Sequence, residues 1–244
     1  MPDYRKHRGA HPEDSKLFAP EQYERLQAAA KDFAFLLSRG YAEKSALKLV
    51  GDRYQLKARQ RLAILRSACS DVALQDRLRR RIGAEELVGE RVYIDGFNLL
   101  ITLESALAGG FLFRGREGCL RDIASVHRHY RLVEETVDAL HRVGVHLAQY
   151  NLRQVVWLLD APVSNSGRLR QQMEELAYTN QWKWQIVLSH QVDEQLKQVK
   201  EAIVISTDGV ILDAQIRWYN LSADIVRSFE EVSIVPLYPE LPRK

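Results

Sequence analysis

The chain has 244 residues, 46% of them apolar, which is more than one average domain and enough for a sizeable core. Two cysteines, Cys69 and Cys119, exclude a disulfide scaffold and a Cys-rich zinc site, and no apolar run approaches the roughly 18 residues of a membrane helix. Net charge is +3, but residues 1–90 hold 18 Lys and Arg against 13 Asp and Glu, whereas the remainder hold 17 against 19. A basic front and a mildly acidic back suit an anionic polymer gripped by one part and processed by another, although a solvated surface of uneven charge gives the same sums. The charged start MPDYRKHRGAHPEDSK has no apolar segment of the secretory kind, so a reducing cytoplasm is the expected home.

The front half reads as helices. Pro20 and Gly40 bracket EQYERLQAAAKDFAFLLSR, where Tyr23, Leu26, Ala30, Phe33 and Leu37 recur at helical spacing. A short helix is expected around 43–50, stopped by Gly51. A third, over about 55–68, carries an apolar stripe of Ala58, Leu62, Leu65 and Cys69. Beside it runs a basic stripe of Arg53, Lys57 and Arg61, with Arg59 and Arg66 nearby. That stripe is a candidate contact for nucleic-acid phosphates; a solvated helix face is the bland alternative. Ser70 is expected to cap a fourth helix carrying Leu74, Leu78 and Ile82 and closed by Gly83. Arg79, Arg80 and Arg81 either assist binding or complement the negative end of that helix.

After Gly89 the pattern changes. Short apolar runs at 91–95, 154–160, 184–189, 202–206 and 232–238 alternate with amphipathic stretches near 98–108, 131–148, 165–180 and 209–229. Runs that are apolar on both faces and joined by helices predict a parallel sheet in an α/β fold. The stretch 111–123 fits neither pattern and reads as a hairpin with Gly115 in its turn. The expected organisation is a small helical, basic domain over 1–88, followed by a Rossmann-like α/β domain over 89–244.

In an open parallel sheet, ligands collect at the carboxyl ends of the strands. Asp95 closes RVYID, Asp160 closes QVVWLLD, Asp208 follows AIVIST, and Asp193 opens the helical stretch VDEQL after WQIVLS. Any one of them alone reads as a turn or helix cap; Asp213, five residues beyond Asp208, either joins the site or caps a helix, and the cap is the favoured reading. Four carboxylates at one edge repel each other unless they share a cation. Hard oxygen ligands of this kind suit Mg²⁺ or Mn²⁺, which can activate water at a phosphodiester. Gly96 is expected to let backbone approach a ligand, and Asn98 and Ser206 to position the carboxylates. In APVSNSGRLR a helix N-terminus followed by Arg168 and Arg170 reads as a phosphate cradle.

VYIDGFNLL resembles the first strand of PIN and NYN-type nuclease domains, VISTDGVI resembles a later strand whose Ser-x-Asp motif supplies a metal ligand, and VDEQL is similar to the segment that donates a third carboxylate. RGAHPEDSKLF, ALKLVGDRYQLKARQR and DAPVSNSG together resemble an uncharacterised prokaryotic family that joins a small helical domain to a PIN-like one. This resemblance implies a metal-dependent ribonuclease. It would use one or two Mg²⁺ or Mn²⁺ ions at Asp95, Asp160, Asp193 and Asp208, with Arg168 at the phosphate and RNA favoured over DNA. The stretch 109–130 departs from a minimal PIN domain, and Asn98 stands three residues after the Asp. Some PIN-like domains have lost catalysis, so the alternative is a non-catalytic nucleic-acid-binding protein on the same scaffold.

Other chemistries fit less well. A haloacid-dehalogenase-like phosphatase needs a second Asp where Phe97 stands, and a dinucleotide enzyme needs G-x-G-x-x-G where DGFNLL stands. His127 and His129 lack a third ligand; His7 and His11 lie near the start, and His190 is a minor candidate beside Asp193. Trp182, Trp184, Trp218 and Tyr219 read as core more than as base-stacking platforms.

Overall fold

Strands that are apolar on both faces must be covered on both sides, and this chain meets that demand with helices. The computed structural model describes residues 7–124 and 130–242, so His127 and His129 lie outside the described residues. Five short helices come first: α1 (Asp14–Leu17), α2 (Tyr23–Ser38), α3 (Glu43–Arg53), α4 (Ala58–Ser67) and α5 (Asp71–Arg80). Then follow β1 (Arg91–Asp95), α6 (Gly96–Leu107), a hairpin of β2 (Leu112–Arg114) and β3 (Leu120–Arg121), α7 (Glu135–Ala148) and β4 (Gln154–Asp160). The rest is α8 (Ser166–Asn180), β5 (Trp184–Ser189), α9 (Val192–Lys197), β6 (Ile203–Ile205), α10 (Gly209–Leu212), β7 (Arg217–Trp218), α11 (Leu221–Val226) and β8 (Ile234–Val235).

The main sheet is parallel throughout, in the order β5-β4-β1-β6-β7. Alternation along β4 sends Val155, Trp157 and Leu159 to one face, where they share a core with Leu140 and Val143 of α7 and Leu169 and Met173 of α8. Val156 and Leu158 go to the other face, against Val192 and Leu196 of α9 and Ile211 and Leu212 of α10. A third core joins Phe18, Leu26, Phe33, Val50 and Ile64 of the helical region to Phe113, Ile123, Val235 and Leu237.

Several expectations change in detail. The 232–238 run contributes β8 not to the main sheet but to a second sheet, β3-β2-β8, where it lies parallel to β2. The fifth main strand is β7, inside a stretch expected to be one helix over 209–229; the chain there breaks into α10, β7 and α11. Gly51 does not stop α3 but lies within it, at a position where a Cβ would meet the Arg61 guanidinium at 2.3 Å. The hairpin at 111–123 forms with Gly115 in its turn, where Gly118 N donates to Gly115 O at 3.0 Å, and Gly118 takes the positive φ. A Cβ on Gly115 would also meet Arg121 Nη1 at 2.3 Å. Ser70 caps α5 by accepting from the Ala73 N–H. That helix ends at Arg80, leaving Ile82 N to donate to Trp218 O at the edge of the main sheet.

Among the described residues no helix is long and apolar enough to cross a membrane.

Candidate functional site

Strand order reverses at β1: the chain proceeds to β4 and β5 on one side, then returns to β6 and β7 on the other. The carboxyl end of such a switch point is where an open sheet leaves a crevice. Asp95, the last residue of β1, lies there and is 7% exposed. Asp160 ends β4, Asp193 is the second residue of α9, and Asp208 sits directly before α10. Ser206 Oγ donates to Asp95 Oδ2 at 2.8 Å and accepts from Asp208 N at 3.0 Å, so a single hydroxyl links two of the carboxylate-bearing segments. Asn98 Oδ1 accepts from both the backbone N and the hydroxyl of Thr207, each at 2.9 Å. Asn98 and Ser206 therefore hold the β6–α10 loop, as positioning groups would.

The electrostatics are those of crowded anions. Burial pushes Asp95 up to about 7; the Ser206 bond opposes this, while Asp208, Asp193 and Asp160 add to it. Asp160 is raised by burial and then by Asp193, and Asp193 is raised by burial and then by Asp208, with Lys197 opposing. Asp95 thus feels the other three carboxylates, Asp160 feels Asp193, and Asp193 feels Asp208. They do not form a closed shell: among the described residues, no three His, Cys, Asp or Glu side chains are grouped so that they could hold a metal ion. Asp208 also serves its own helix, with Oδ1 accepting from Val210 N at 2.7 Å. The donor set, all hard oxygen, matches Mg²⁺ or Mn²⁺ in chemistry, and binding would require the side chains to draw inward.

Some residues expected at the site have other work. A Cβ on Gly96 would meet Leu159 Cδ2 at 2.4 Å and Leu158 O at 2.9 Å, so this glycine seats α6 on β4 instead of admitting a ligand. In the loop after Asp160, Ser164 Oγ and Asn165 Nδ2 donate to Tyr130 O, and Ser166 Oγ donates to Asp160 O. These polar groups shape the loop, which weakens the cradle reading. Arg168 is exposed in the first turn of α8, and Arg170 pairs with Glu174. The basic stripe is not on one helix. Arg53 ends α3 and Lys57 precedes α4, with Gln55 at φ +50° breaking the helix between them. Arg61 is engaged by Asp52 at 2.8 Å, and Arg53 stands 3.7 Å from Asp32. Trp218 and Tyr219 are core residues.

Sequence reasoning missed two buried arginines. Arg77 of α5 donates to Asp213 Oδ1 at 2.7 Å and to Gly209 O at 3.2 Å. Arg121 of β3 donates to Thr207 O at 2.8 Å and to the buried Glu117. In the sequence Arg77 is one of four arginines within five residues, and only burial singles it out. Asp213, which read as a cap, is instead the partner of Arg77. A cavity of about 430 Å³ opens beside Asp208, lined by Asn98, Thr207, Arg66, Arg121 and Asp122 among others.

Residues 84–224, more than half of the chain, match the family described as "Domain of unknown function (DUF5616)". The chain belongs to the DUF5616 family. Asp95, Asp160, Asp193, Asp208, Ser206 and Asn98 all fall inside the DUF5616 match, whereas Arg77 falls in a second match, to "Protein of unknown function (DUF434)", over residues 25–80. An uncharacterized protein of Methanocaldococcus jannaschii is 30% identical over 190 residues, which cover 78% of this chain and 90% of that protein. No solved structure matches.

Proposed function

We propose that this DUF5616 protein is a metal-dependent ribonuclease that hydrolyses phosphodiester bonds at the Asp95 crevice. The observation that carries the reading is Asp95 itself: a buried carboxylate at the switch point, held by Ser206 and acted on by three further carboxylates. Such a group is costly to ionise in an empty site and is stabilised by a divalent cation. Asp95, Asp160, Asp193 and Asp208 would hold Mg²⁺ or Mn²⁺, one or two ions. An ion there supplies polarisation of water and of a phosphoryl oxygen. Ser206 keeps Asp95 oriented, Asn98 keeps the Thr207 backbone in place, and Arg168, exposed in the first turn of the helix that follows Asp160, would meet a substrate phosphate.

The preference for RNA comes from the resemblance to PIN and NYN-type nucleases. The two-domain division near residue 88 and a cytoplasmic location belong to the same proposal. Non-catalytic nucleic-acid binding on this scaffold is favoured by one observation: the carboxylates are not gathered into a ready coordination group, and Asp208 caps a helix. Incubation of labelled single-stranded RNA with the protein and Mn²⁺ separates the two. Cleavage that disappears with EDTA and in Asp95→Asn supports the nuclease; retained RNA binding without cleavage over a broad substrate panel selects the scaffold.

A further inference from the structure

The loop that carries Asp208 is anchored from outside the main sheet. Its backbone carbonyls on either side of the aspartate, Thr207 O and Gly209 O, accept from Arg121 Nε at 2.8 Å and Arg77 Nη2 at 3.2 Å. Both guanidiniums are buried, Arg77 at 5% and Arg121 at 7% exposure. Both also contact the fully buried Glu117, which joins them: Arg77 Nη1 lies 3.4 Å from Glu117 Oε1, and Arg121 donates to the same oxygen. Burial alone would raise Glu117, but the two arginines hold it below the ordinary carboxylate value, so it remains an anion between two cations. The fit is tight on the loop side as well, since a Cβ on Gly209 would stand 3.0 Å from Arg77 Nη2.

Arg80 extends the same hold, donating to Leu212 O at 2.9 Å at the far end of α10. A helix of four residues has little stability of its own. These external donors act on α10 and Asp208 together with Asn98, Ser206 and the buried Ile211 and Leu212. The external donors come from α5 in the helical region and from the β2–β3 hairpin, the stretch that a minimal PIN domain has no place for.

We propose that Arg77 and Arg121, coupled through Glu117, are positioning residues for Asp208, so that the helical region and the hairpin are integral parts of the metal site. This rests on the reading of Asp208 as a metal ligand. Outer partners that orient a ligand typically change metal affinity about 10- to 100-fold when removed. The arrangement also assigns a role to the stretch matched by DUF434: it completes the site structurally, whether or not its surface touches substrate.

The test uses the full chain and Mn²⁺ alone as the probe. Removing one arginine would leave Glu117 buried and under-compensated. The informative variant is therefore Glu117→Gln with Arg121→Gln, which removes an anion and a cation together. Mn²⁺ affinity, read by paramagnetic resonance of the free ion, should fall about tenfold or more. Amide exchange at Val210, whose N–H caps onto Asp208, should accelerate, while Ile94 and Leu158 in β1 and β4 keep their rates. A purely structural role would instead accelerate the strand amides too. Arg121→Lys keeps the charge beside Glu117 but not the fork that reaches Thr207 O, and it decides the matter by the same readouts if the double variant does not fold. Unchanged Val210 exchange, or unchanged Mn²⁺ affinity in a variant whose parent binds Mn²⁺, overturns this inference alone. A parent that binds no Mn²⁺ overturns the proposed function and this inference with it.

Discussion

Replacing Asp95 by Asn should stabilise the metal-free protein, and the gain should depend on pH in a defined way. Asn keeps the shape and still accepts from Ser206, but it cannot ionise. Burial and the neighbouring carboxylates move Asp95 from 3.8 to about 7. A rise of roughly three units at about 1.4 kcal/mol each corresponds to roughly 4 kcal/mol. The folded-state value lies above the unfolded one, so between these two pH values the folded protein holds a proton that the unfolded chain has released. The stabilising contribution is therefore complete below about pH 4 and lost as pH rises through about 7. Urea unfolding of parent and variant at pH 4, 6 and 8 should show a gap of well under about 1 kcal/mol at the lowest pH and one approaching roughly 4 kcal/mol at the highest. In melting temperature the pH 8 gap is on the order of 10 °C. Mn²⁺ at pH 8 should raise the parent and leave the variant unmoved. A variant that is equally or less stable than the parent at pH 8 would mean that Asp95 is a structural cap, and the argument from charge would be lost.

Three other outcomes are expected. Arg168→Ala should raise KM or slow RNA turnover with Mn²⁺ affinity intact by calorimetry; a collapse of metal binding would place Arg168 in the fold instead. Changing Arg53, Lys57 and Arg61 together to Ala should flatten the salt dependence of RNA binding by up to about three units of slope if all three meet phosphate. An unchanged slope in a titration would leave Arg53 and Arg61 as the partners of Asp32 and Asp52 that the structure shows. Gly96→Ala should destabilise the protein by about 1–3 kcal/mol in urea, because the new methyl meets the Leu158 carbonyl; an unaltered midpoint would show that α6 can shift freely on β4.

The parallel sheet and the ends of β1, β4, β5 and β6 were legible because buried strands leave an uninterrupted apolar run and Asp95 and Asp160 close two of those runs directly. β7 was not legible. Its two residues, Arg217 and Trp218, are too few to show a period, and their pairing with Ile203 and Val204 is a tertiary event. β8 had the right apolar pattern, but pattern alone does not say which sheet a strand joins. At the site, the aspartates announced themselves by type and place, as did Asn98 and Ser206. Arg77 and Arg121 did not, since an arginine in sequence reads as a surface charge until burial and a partner such as Glu117 are seen.

The small second sheet also bears on how the chain folds as it is made. Phe18, Phe33 and Ile64 complete their packing only with Phe113, Val235 and Leu237, and Tyr238 reaches back to donate to Ala30 O. A ribosome delivers α2 to α5 long before it delivers β8. Until β8 emerges, part of the apolar surface of the first helices is left uncovered. Packing in the helical region is then completed by strands that lie after it in the chain, so it depends on contacts distant in sequence.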